Sequence, residues 1–146
     1  MSHATASSHA VFPTANGECV IAWNENGIAS LLLPTHDPAD IARWRKRRAL
    51  EARHDRLDGR VAEVIAAATR YFDGEPVDFS DVAVDLSGQD AFFTRIYQAL
   101  RQVKYGETTT YGALARDLGA GPEMARDVGV AMATNPVPLI IPCHRV

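Results

Sequence analysis

The chain has 146 residues, 47% of them hydrophobic and 23% charged, which is ordinary for a soluble globular protein and leaves both enzymes and binding modules open. That length suffices for one compact domain or two small ones. The formal net charge of −3 is uneven, because residues 1–90 carry nine Lys and Arg against fourteen Asp and Glu, whereas residues 91–146 carry six against four. The weakly basic later part permits nucleic-acid contact without requiring it.

No apolar run approaches the roughly 18 residues of a membrane span, and the beginning of the chain lacks the apolar core of a signal peptide. Cys19 and Cys143 are too far apart in sequence for a paired metal or dithiol motif. These features favour a reduced, cytoplasmic setting without a membrane anchor.

The first part of the chain predicts a disordered tail followed by a hairpin. Residues 1–9 are rich in Ser, Ala and His and are expected to be disordered. Two apolar runs, residues 19–23 and 28–33, flank Asn26-Gly27, and Asn-Gly is a strong hairpin signal because both residues tolerate positive φ.

A charged helix is predicted over residues 39–53, with Asp37 as its N-cap and Pro38 at its first position. Eight of the fifteen Lys and Arg fall between Arg43 and Arg60. They could form a nucleic-acid patch, but interleaved acidic residues favour a solvated helix face.

A second amphipathic helix and a strand complete the predicted amino-terminal unit. Apolar residues at three-and-four spacing from Val61 to Phe72 indicate the helix, which Asp73-Gly74 closes. Residues 82–86 alternate with period two and predict the strand. Residues 1–88 are thus expected to form a small α/β domain.

Residues 89–146 are expected to form a second, helical domain. An apolar stripe from Phe93 to Val103 marks one helix, Thr110 caps a short helix over 111–118, and a further helix is predicted over 122–133. Two short helices around a glycine-containing turn make a helix-turn-helix candidate. By itself this pattern is weak, since many helical pairs bind nothing.

The carboxyl-terminal segment places a cysteine directly before a histidine. Three prolines stiffen residues 135–142, and Pro142-Cys143-His144-Arg145 follows. A cysteine reacts as its thiolate, so it needs a base, a positive charge or a helix N-terminus nearby, and His144 would reach it through a water. The alternative from these residues alone is an inert buried cysteine beside a surface histidine.

The stretch from Asn135-Pro136 to Ile141-Pro142-Cys143-His144-Arg145-Val146 resembles the active-site signature of the O6-alkylguanine-DNA alkyltransferases, the methylated-DNA–protein-cysteine methyltransferases. Residues 110–115 resemble the family's first helix of the helix-turn-helix, and residues 125–129 its recognition helix. Residues 12–23 resemble the amino-terminal domain of bacterial members, so the resemblance covers nearly the whole chain.

This resemblance implies an α+β fold, with an amino-terminal ribonuclease H-like domain and a carboxyl-terminal helix-turn-helix domain that binds the minor groove of double-stranded DNA. The implied activity is single-turnover repair, in which the alkyl group of a flipped O6-alkylguanine, and of O4-alkylthymine if that is accepted, passes irreversibly to Cys143. The resemblance implies no cofactor and no metal, and a monomer is expected.

The resemblance also implies roles for individual residues. Cys143 matches the alkyl acceptor, and His144 matches the base that acts through water. The positions matched to DNA binding are Thr110, Tyr111, Arg126, which fills the gap left in the base stack, and Gly129. The positions matched to the substrate pocket and its support are Asn135, Pro138, Arg145 and Val146, whose backbone carbonyl reads the guanine amine.

The sequence departs from the family in two places. Met124 and Asp127 stand where relatives typically have alanine, so DNA affinity is expected to be weak and Asp127→Ala to tighten binding. Relatives also continue past the final valine with a pocket loop and a glutamate that orients the histidine, so the carboxyl-terminal domain is expected to be truncated and to transfer alkyl groups slowly or not at all.

Two other functions are therefore considered. One is a truncated, non-catalytic module that binds alkylated DNA. The other is a cysteine hydrolase that uses Cys143 and His144, which is weaker because the sequence reveals no oxyanion hole.

Overall fold

The structure, a computed structural model, describes residues 6–50 and 56–145. Within these residues the chain forms three strands, five α-helices and two short 3-10 turns, so the molecule is mixed α/β. The elements are β1 (Ser8–Thr14), β2 (Gly17–Asn24), β3 (Gly27–Thr35), α1 (Pro38–Arg47), α2 (Gly59–Phe72), α3 (Ala91–Leu100), α4 (Tyr111–Asp117), the turn Pro122–Met124, α5 (Ala125–Ala133) and the turn Cys143–Arg145.

The strands form an antiparallel meander in the order β1-β2-β3. The predicted hairpin is confirmed between β2 and β3. Gly27 has φ +143°, and an added Cβ would lie 2.5 Å from the Ala83 carbonyl oxygen, so glycine is needed here for both conformation and space.

The expected disorder of residues 1–9 is wrong for the part that the structure describes. β1 begins at Ser8 and pairs with β2, and His9 is fully buried. Arg45 on α1 donates from Nε to Nε2 of His9 at 3.1 Å. Pairing with β2 and packing against α1 order these residues, and neither partner is visible in the local sequence. Residues 1–5 lie outside the described residues.

β2 is buried on both faces of the sheet, because its side chains alternate between two apolar clusters. Cys19, Ile21 and Trp23 face the larger cluster, whereas Val20 and Ala22 face the smaller one. α1 covers the smaller cluster with Ile41 and Trp44. The larger cluster joins the other face of the sheet to α2, α3, α4 and α5, so one core runs from the sheet to the carboxyl-terminal helices.

α1 begins as expected, because the Asp37 side chain accepts a hydrogen bond from the Ala39 amide. It ends at Arg47 instead of continuing to residue 53, and Ala49 takes φ +53° in the turn that follows. Residues 51–53 of the predicted helix lie outside the described residues.

Three of the five basic residues in and directly after α1 contact the chain itself. Arg45 bonds to His9, as described above. The Arg48 guanidinium lies 4.3 Å from the ring centroid of Trp44, and Arg43 forms an ion pair with Asp40. These contacts favour a structural role for these three cations over a nucleic-acid patch.

The strand predicted over residues 82–86 is wrong, because only a single parallel bridge between Ile28 and Val84 forms there. The Ile28 amide donates to the Ala83 carbonyl, and the Asp85 amide donates to the Ile28 carbonyl. Further along β3, the segment after α5 bonds to the same edge, because the Leu31 amide donates to the Pro136 carbonyl at 3.1 Å. The free edge of β3 is thus shared between two short segments.

Two of the three carboxyl-terminal helices begin with side-chain caps, and α4 starts at the predicted residue. Asp90 caps α3, and the Thr110 hydroxyl accepts from the Ala113 amide to cap α4. The helix predicted over 122–133 starts as a 3-10 turn and continues as α5. α3, α4 and α5 contact one another. No helix in the described part of the chain is long and apolar enough to cross a membrane.

Candidate active site

The proline-rich segment after α5 folds into a closed loop around Asn135. The Asn135 side chain makes two hydrogen bonds within the loop. Its Nδ2 donates to the Ile141 carbonyl at 2.8 Å, and its Oδ1 accepts from the Val137 backbone amide at 3.0 Å. The Ile141 amide also donates to the Val137 carbonyl. Leu139 takes φ +77°, an uncommon conformation for a branched residue, and is buried. The loop is therefore tightly constrained, which fixes the position of Cys143 immediately after it.

Cys143 opens the turn Cys143–Arg145 and is half-buried. Its amide donates to the Ile141 carbonyl at 2.8 Å, and the Arg145 amide donates to the Pro142 carbonyl at 3.0 Å. The thiol therefore lies on a short turn that is anchored at both ends. Cys19 differs sharply, because it is fully buried and burial raises its pKa to about 12.

His144 lies on the exposed side of the same turn. Its Nε2 is 3.2 Å from the hydroxyl oxygen of Tyr71, at the end of α2. Partial burial of the ring lowers the pKa of His144, and the neighbouring Arg145 cation lowers it further. Neutral imidazole, the form that can accept a proton, is therefore favoured next to Cys143.

Arg145 is used to hold the turn in place. Its Nη1 donates to the Val103 carbonyl at 2.6 Å, and its guanidinium lies 5.9 Å from the ring centroid of Tyr105. The Arg145 carbonyl accepts from the Thr109 amide at 2.8 Å. These contacts tie the cysteine turn to the segment that leads into α4.

The exposed faces of α4 and α5 meet around Tyr111. This side chain is 43% exposed, although tyrosine is a large ring. Gly129 on α5 faces it, since an added Cβ would lie 3.4 Å from Cε2 of Tyr111. Arg126, one turn earlier on α5, is exposed, and Val130 is 44% exposed. A polar aromatic ring, a cation and an apolar side chain therefore share this surface.

The remaining predicted site residues divide between the loop and the α4 cap. Pro138 is half-buried in the Asn135 loop, where it forms an isolated bridge with Ile141. The Thr110 hydroxyl is occupied as the cap of α4. Val146 lies outside the described residues. Among the residues that the structure describes, no group of three or more histidine, cysteine or acidic side chains is arranged to hold a metal ion.

Comparison with known proteins identifies the family. Residues 91–146 match the sequence profile described as 6-O-methylguanine DNA methyltransferase, DNA binding domain. Over 142 residues the chain is 34% identical to a methylated-DNA–protein-cysteine methyltransferase of Haemophilus influenzae, covering 97% of this chain and 74% of that protein. The chain belongs to the methylated-DNA–protein-cysteine methyltransferase family.

Two further comparisons set the extent of the likeness. A methylated-DNA–protein-cysteine methyltransferase of Mycobacterium leprae is 44% identical over 89 residues, which make up 61% of this chain but only 52% of that protein, so the chain spans about half its length. A crystal structure of Mycobacterium tuberculosis OGT in complex with DNA matches with a TM-score of 0.70 at 30% identity, over 94% of this chain and 77% of that one. The mixed α/β architecture is therefore shared with that family, and the resemblance read from the sequence is confirmed.

Two residues near the cysteine of this methyltransferase-family chain were missed by the sequence reasoning. Tyr71 contacts His144 from a position 73 residues earlier. Tyr97 is fully buried and donates to the Ala131 carbonyl at 2.8 Å. Burial raises the pKa of Tyr97, the Thr134 hydroxyl opposes this, and negative charge on Cys143 raises it further. Both tyrosines belong to apolar helix stripes, so nothing in the local pattern distinguishes them from core residues.

Proposed function

We propose that this chain repairs DNA by transferring the alkyl group of O6-alkylguanine irreversibly to its own Cys143. The observation that carries the proposal is the half-buried Cys143 thiol, held between the closed Asn135 loop and His144. The names of the related proteins, methylated-DNA–protein-cysteine methyltransferases, support the same reaction.

The proposed reaction is a single displacement at carbon. His144 takes the thiol proton through a water, and the Cys143 thiolate attacks the alkyl carbon. A bond forms between Sγ and that carbon while the bond from the carbon to O6 breaks. Its electron pair leaves with guanine, which departs as its anion or with a proton from Tyr111. The product is a stable thioether, so each molecule reacts once. The reaction as written requires no cofactor or metal.

We further propose that α4 and α5 form a helix-turn-helix that binds the minor groove and flips the damaged nucleotide outward. The O6 alkyl carbon cannot reach a thiolate while guanine is stacked in the duplex. In this proposal Arg126 fills the vacated space, and Tyr111 contacts the flipped base and its phosphate. The close approach of Tyr111 to Gly129 and the exposure of Arg126 support it, and Thr110 serves the interface by starting α4.

For the alkyl pocket, we assign one wall to Pro138 and the fixing of the loop to Asn135. The two hydrogen bonds of Asn135 and the half-buried position of Pro138 support these roles. Arg145 supports the pocket by fixing the cysteine turn through its hydrogen bond to the Val103 carbonyl. The assignment of the Val146 carbonyl to the guanine amine stays a prediction from the sequence.

The finer description of the fold belongs to the same proposal. We divide the chain into a ribonuclease H-like domain, residues 1–88, and a helix-turn-helix domain, residues 89–146. The antiparallel meander before α2 and the mutual contacts of α3, α4 and α5 support this division. The expected partner is double-stranded DNA bound by a monomer, and a cytoplasmic location accords with a DNA substrate and a reduced thiol.

Intact-mass analysis after incubation with duplex DNA containing one O6-methylguanine tests the reaction. We expect the mass to rise by one methylene group, on the peptide that contains Cys143. Cys143→Ser and a duplex with unmodified guanine should both give no increase. No increase in the unaltered chain under saturating DNA contradicts alkyl transfer, and tight binding without labelling would instead support a lesion-binding module.

The flipping role of Arg126 is tested by comparing two substrates. Arg126→Ala should slow transfer from duplex DNA by at least about tenfold. Without the arginine side chain in the vacated space, the cost of unstacking the nucleotide, a few kcal/mol, is no longer offset. Transfer from the free base O6-methylguanine should be unchanged. Lys46→Ala, which removes the same charge from an exposed position on α1, is the matched control. Equal slowing with both substrates contradicts the flipping role.

A further inference from the structure

A tyrosine from the amino-terminal half of the chain contacts the histidine next to Cys143. The hydroxyl oxygen of Tyr71 lies 3.2 Å from Nε2 of His144. The two rings also pack against each other, with centroids 6.1 Å apart and planes inclined by 60°. The contact therefore combines a hydrogen bond with ring packing, and both act to fix the orientation of the imidazole.

Tyr71 is itself held firmly. It lies in the last turn of α2, whose apolar face belongs to the main core. Three aromatic rings surround it: Phe72 at 5.4 Å, Phe79 at 5.9 Å and Tyr105 at 6.4 Å between centroids. Ring packing of this kind restricts the tyrosine side chain, so its hydroxyl is held in a fixed position beside His144.

The hydrogen bond has a consequence for the proton on the imidazole. A neutral imidazole carries one N–H donor and one acceptor nitrogen, and the partner of one nitrogen determines the state of the other. Because Tyr71 engages Nε2, Nδ1 is the nitrogen left to accept a proton from the thiol. Nδ1 is an acceptor only if Nε2 carries the hydrogen and donates it to the Tyr71 oxygen.

We propose that Tyr71 is a positioning residue that accepts a hydrogen bond from Nε2–H of His144 and thereby keeps Nδ1 unprotonated and able to accept the Cys143 proton. Its use in alkyl transfer rests on the proposed function, but the tautomer itself does not. When the Cys143 proton moves through water to Nδ1, the ring becomes an imidazolium with both nitrogens protonated. The bond to Tyr71 persists through this step and strengthens, because its donor is then charged.

The tautomer can be measured directly on the full chain labelled with ¹⁵N-histidine. Ring nitrogen shifts distinguish protonated from unprotonated nitrogens, and the His144→Gln chain identifies the His144 signals among the five histidines. In the unaltered chain at neutral pH we expect His144 to be protonated at Nε2. Protonation at Nδ1 overturns the proposal, and this observation needs no variant of Tyr71.

Tyr71→Phe isolates the hydroxyl, because it keeps the ring and its aromatic contacts. We expect the two tautomers of His144 to mix in this variant, while the other histidine signals stay unchanged and show that the chain is folded. Tyr105→Phe removes a hydroxyl from the same aromatic cluster and should leave the His144 ring shifts as they are. Unchanged His144 shifts in Tyr71→Phe overturn the proposal.

Thiol reactivity gives a second measurement that does not involve DNA. We expect Tyr71→Phe to slow the alkylation of Cys143 by iodoacetamide at neutral pH about fivefold, the effect of losing one hydrogen bond, and Tyr105→Phe not to slow it. An unchanged rate in Tyr71→Phe overturns the positioning role. If the unaltered chain has the Nε2–H tautomer but transfers no alkyl group from DNA, the proposed function fails and the assignment of Tyr71 stands.

Discussion

At the scale of single residues, the two cysteines have opposite surroundings. Cys19 is fully buried between the sheet and the larger apolar cluster, and this burial raises its pKa to about 12. Almost none of this thiol is therefore thiolate at neutral pH. Cys143 is half-buried beside His144. A reagent that attacks thiolates should therefore distinguish them by both access and charge.

We expect iodoacetamide to label the folded chain once, on Cys143. Cys143→Ser should abolish the fast labelling, and Cys19→Ser should leave its rate unchanged. Denaturant should expose the second site, which serves as an internal control for reagent excess. Peptide mass mapping assigns each label, and modification of Cys19 in the folded chain would contradict the burial of that thiol.

The ionisation of His144 predicts a pH dependence. Its pKa lies below the ordinary 6.5, because of partial burial and then the Arg145 charge. The neutral base therefore persists to lower pH than in an ordinary histidine, and the ¹⁵N ring shifts of His144 should titrate with a midpoint below pH 6.5. The His144→Gln chain should lack this titration. A midpoint above 6.5 in the unaltered chain would show that the imidazolium is favoured instead.

The same shift fixes the direction of a stability effect. A histidine with a lowered pKa in the folded state binds fewer protons there than in the unfolded state. Its contribution to the free energy of unfolding is therefore fully present above pH 6.5 and is lost as the pH falls through the lowered pKa. Denaturation of the unaltered chain and His144→Gln across this range should show the difference.

At the scale of elements, local signals predicted helix starts and the hairpin well. Asp37 and Thr110 cap α1 and α4 as expected, because an N-cap depends on its own side chain and an amide two or three residues later. Gly27 marks the hairpin for an equally local reason. The length of α1 and the order at His9 were predicted wrongly. α1 ends in a turn where Ala49 takes φ +53°, and His9 is ordered by packing between the sheet and α1.

The predicted strand over residues 82–86 shows another limit of periodicity. Its alternation is real, but a strand also requires a partner edge of sufficient length. The amide of Leu31 is already bonded to the Pro136 carbonyl, so only the part of β3 around Ile28 remains for pairing. Residues 83–85 and Pro136 both bond to this edge of β3, and no local sequence pattern predicts that they compete for it.

α5 carries an acidic residue in its first turn that bears on DNA binding. Asp127 is partly exposed and lies next to Arg126. If α5 approaches phosphates, this carboxylate repels them, so Asp127→Ala should tighten duplex binding roughly threefold near 0.1 M salt, with a smaller gain at higher salt. Glu75→Ala, at an exposed position after α2, is the matched control.

Binding titrations at two salt concentrations measure this effect. Equal tightening by both substitutions would indicate only the change in net charge. No tightening by Asp127→Ala would contradict the assignment of α5 as the DNA-facing helix, while leaving the chemistry of Cys143 untouched.

At the scale of the whole molecule, the cysteine turn depends on contacts between distant parts of the chain. The sequence motif located Cys143 and His144, because their chemistry is carried by adjacent residues. It could not locate Tyr71, which contacts His144 from 73 positions earlier, or the bond from Leu31 to Pro136 that joins the sheet to the Asn135 loop. Such contacts follow from how α2 and the sheet pack on the helical part.

Arg101 is another such connection, and it predicts a loss of stability. From α3's C-cap its Nη2 donates to the carbonyls of Phe79 and Val82 at 2.9 and 2.7 Å, with Ser80 at 3.3 Å. Nη2 carries two hydrogens, so it can make two good hydrogen bonds at once, and the two shorter ones are those to Phe79 and Val82. Arg101→Ala should lower the free energy of unfolding by about 2 kcal/mol, because charged hydrogen bonds to partly buried carbonyls are lost.

The control lies on the same helix. Arg95 donates one bond from Nη2 to the Leu118 carbonyl at 2.7 Å on an exposed surface, so Arg95→Ala should change the free energy of unfolding by less than about 1 kcal/mol. Urea denaturation of the two variants measures the difference. Since residues 79–82 lead directly to the bridge at Ile28, Arg101→Ala should also speed amide exchange at Ile28 and Asp85. Equal losses in the two variants would mean that Arg101 adds only a surface charge and does not hold this segment to the helical part.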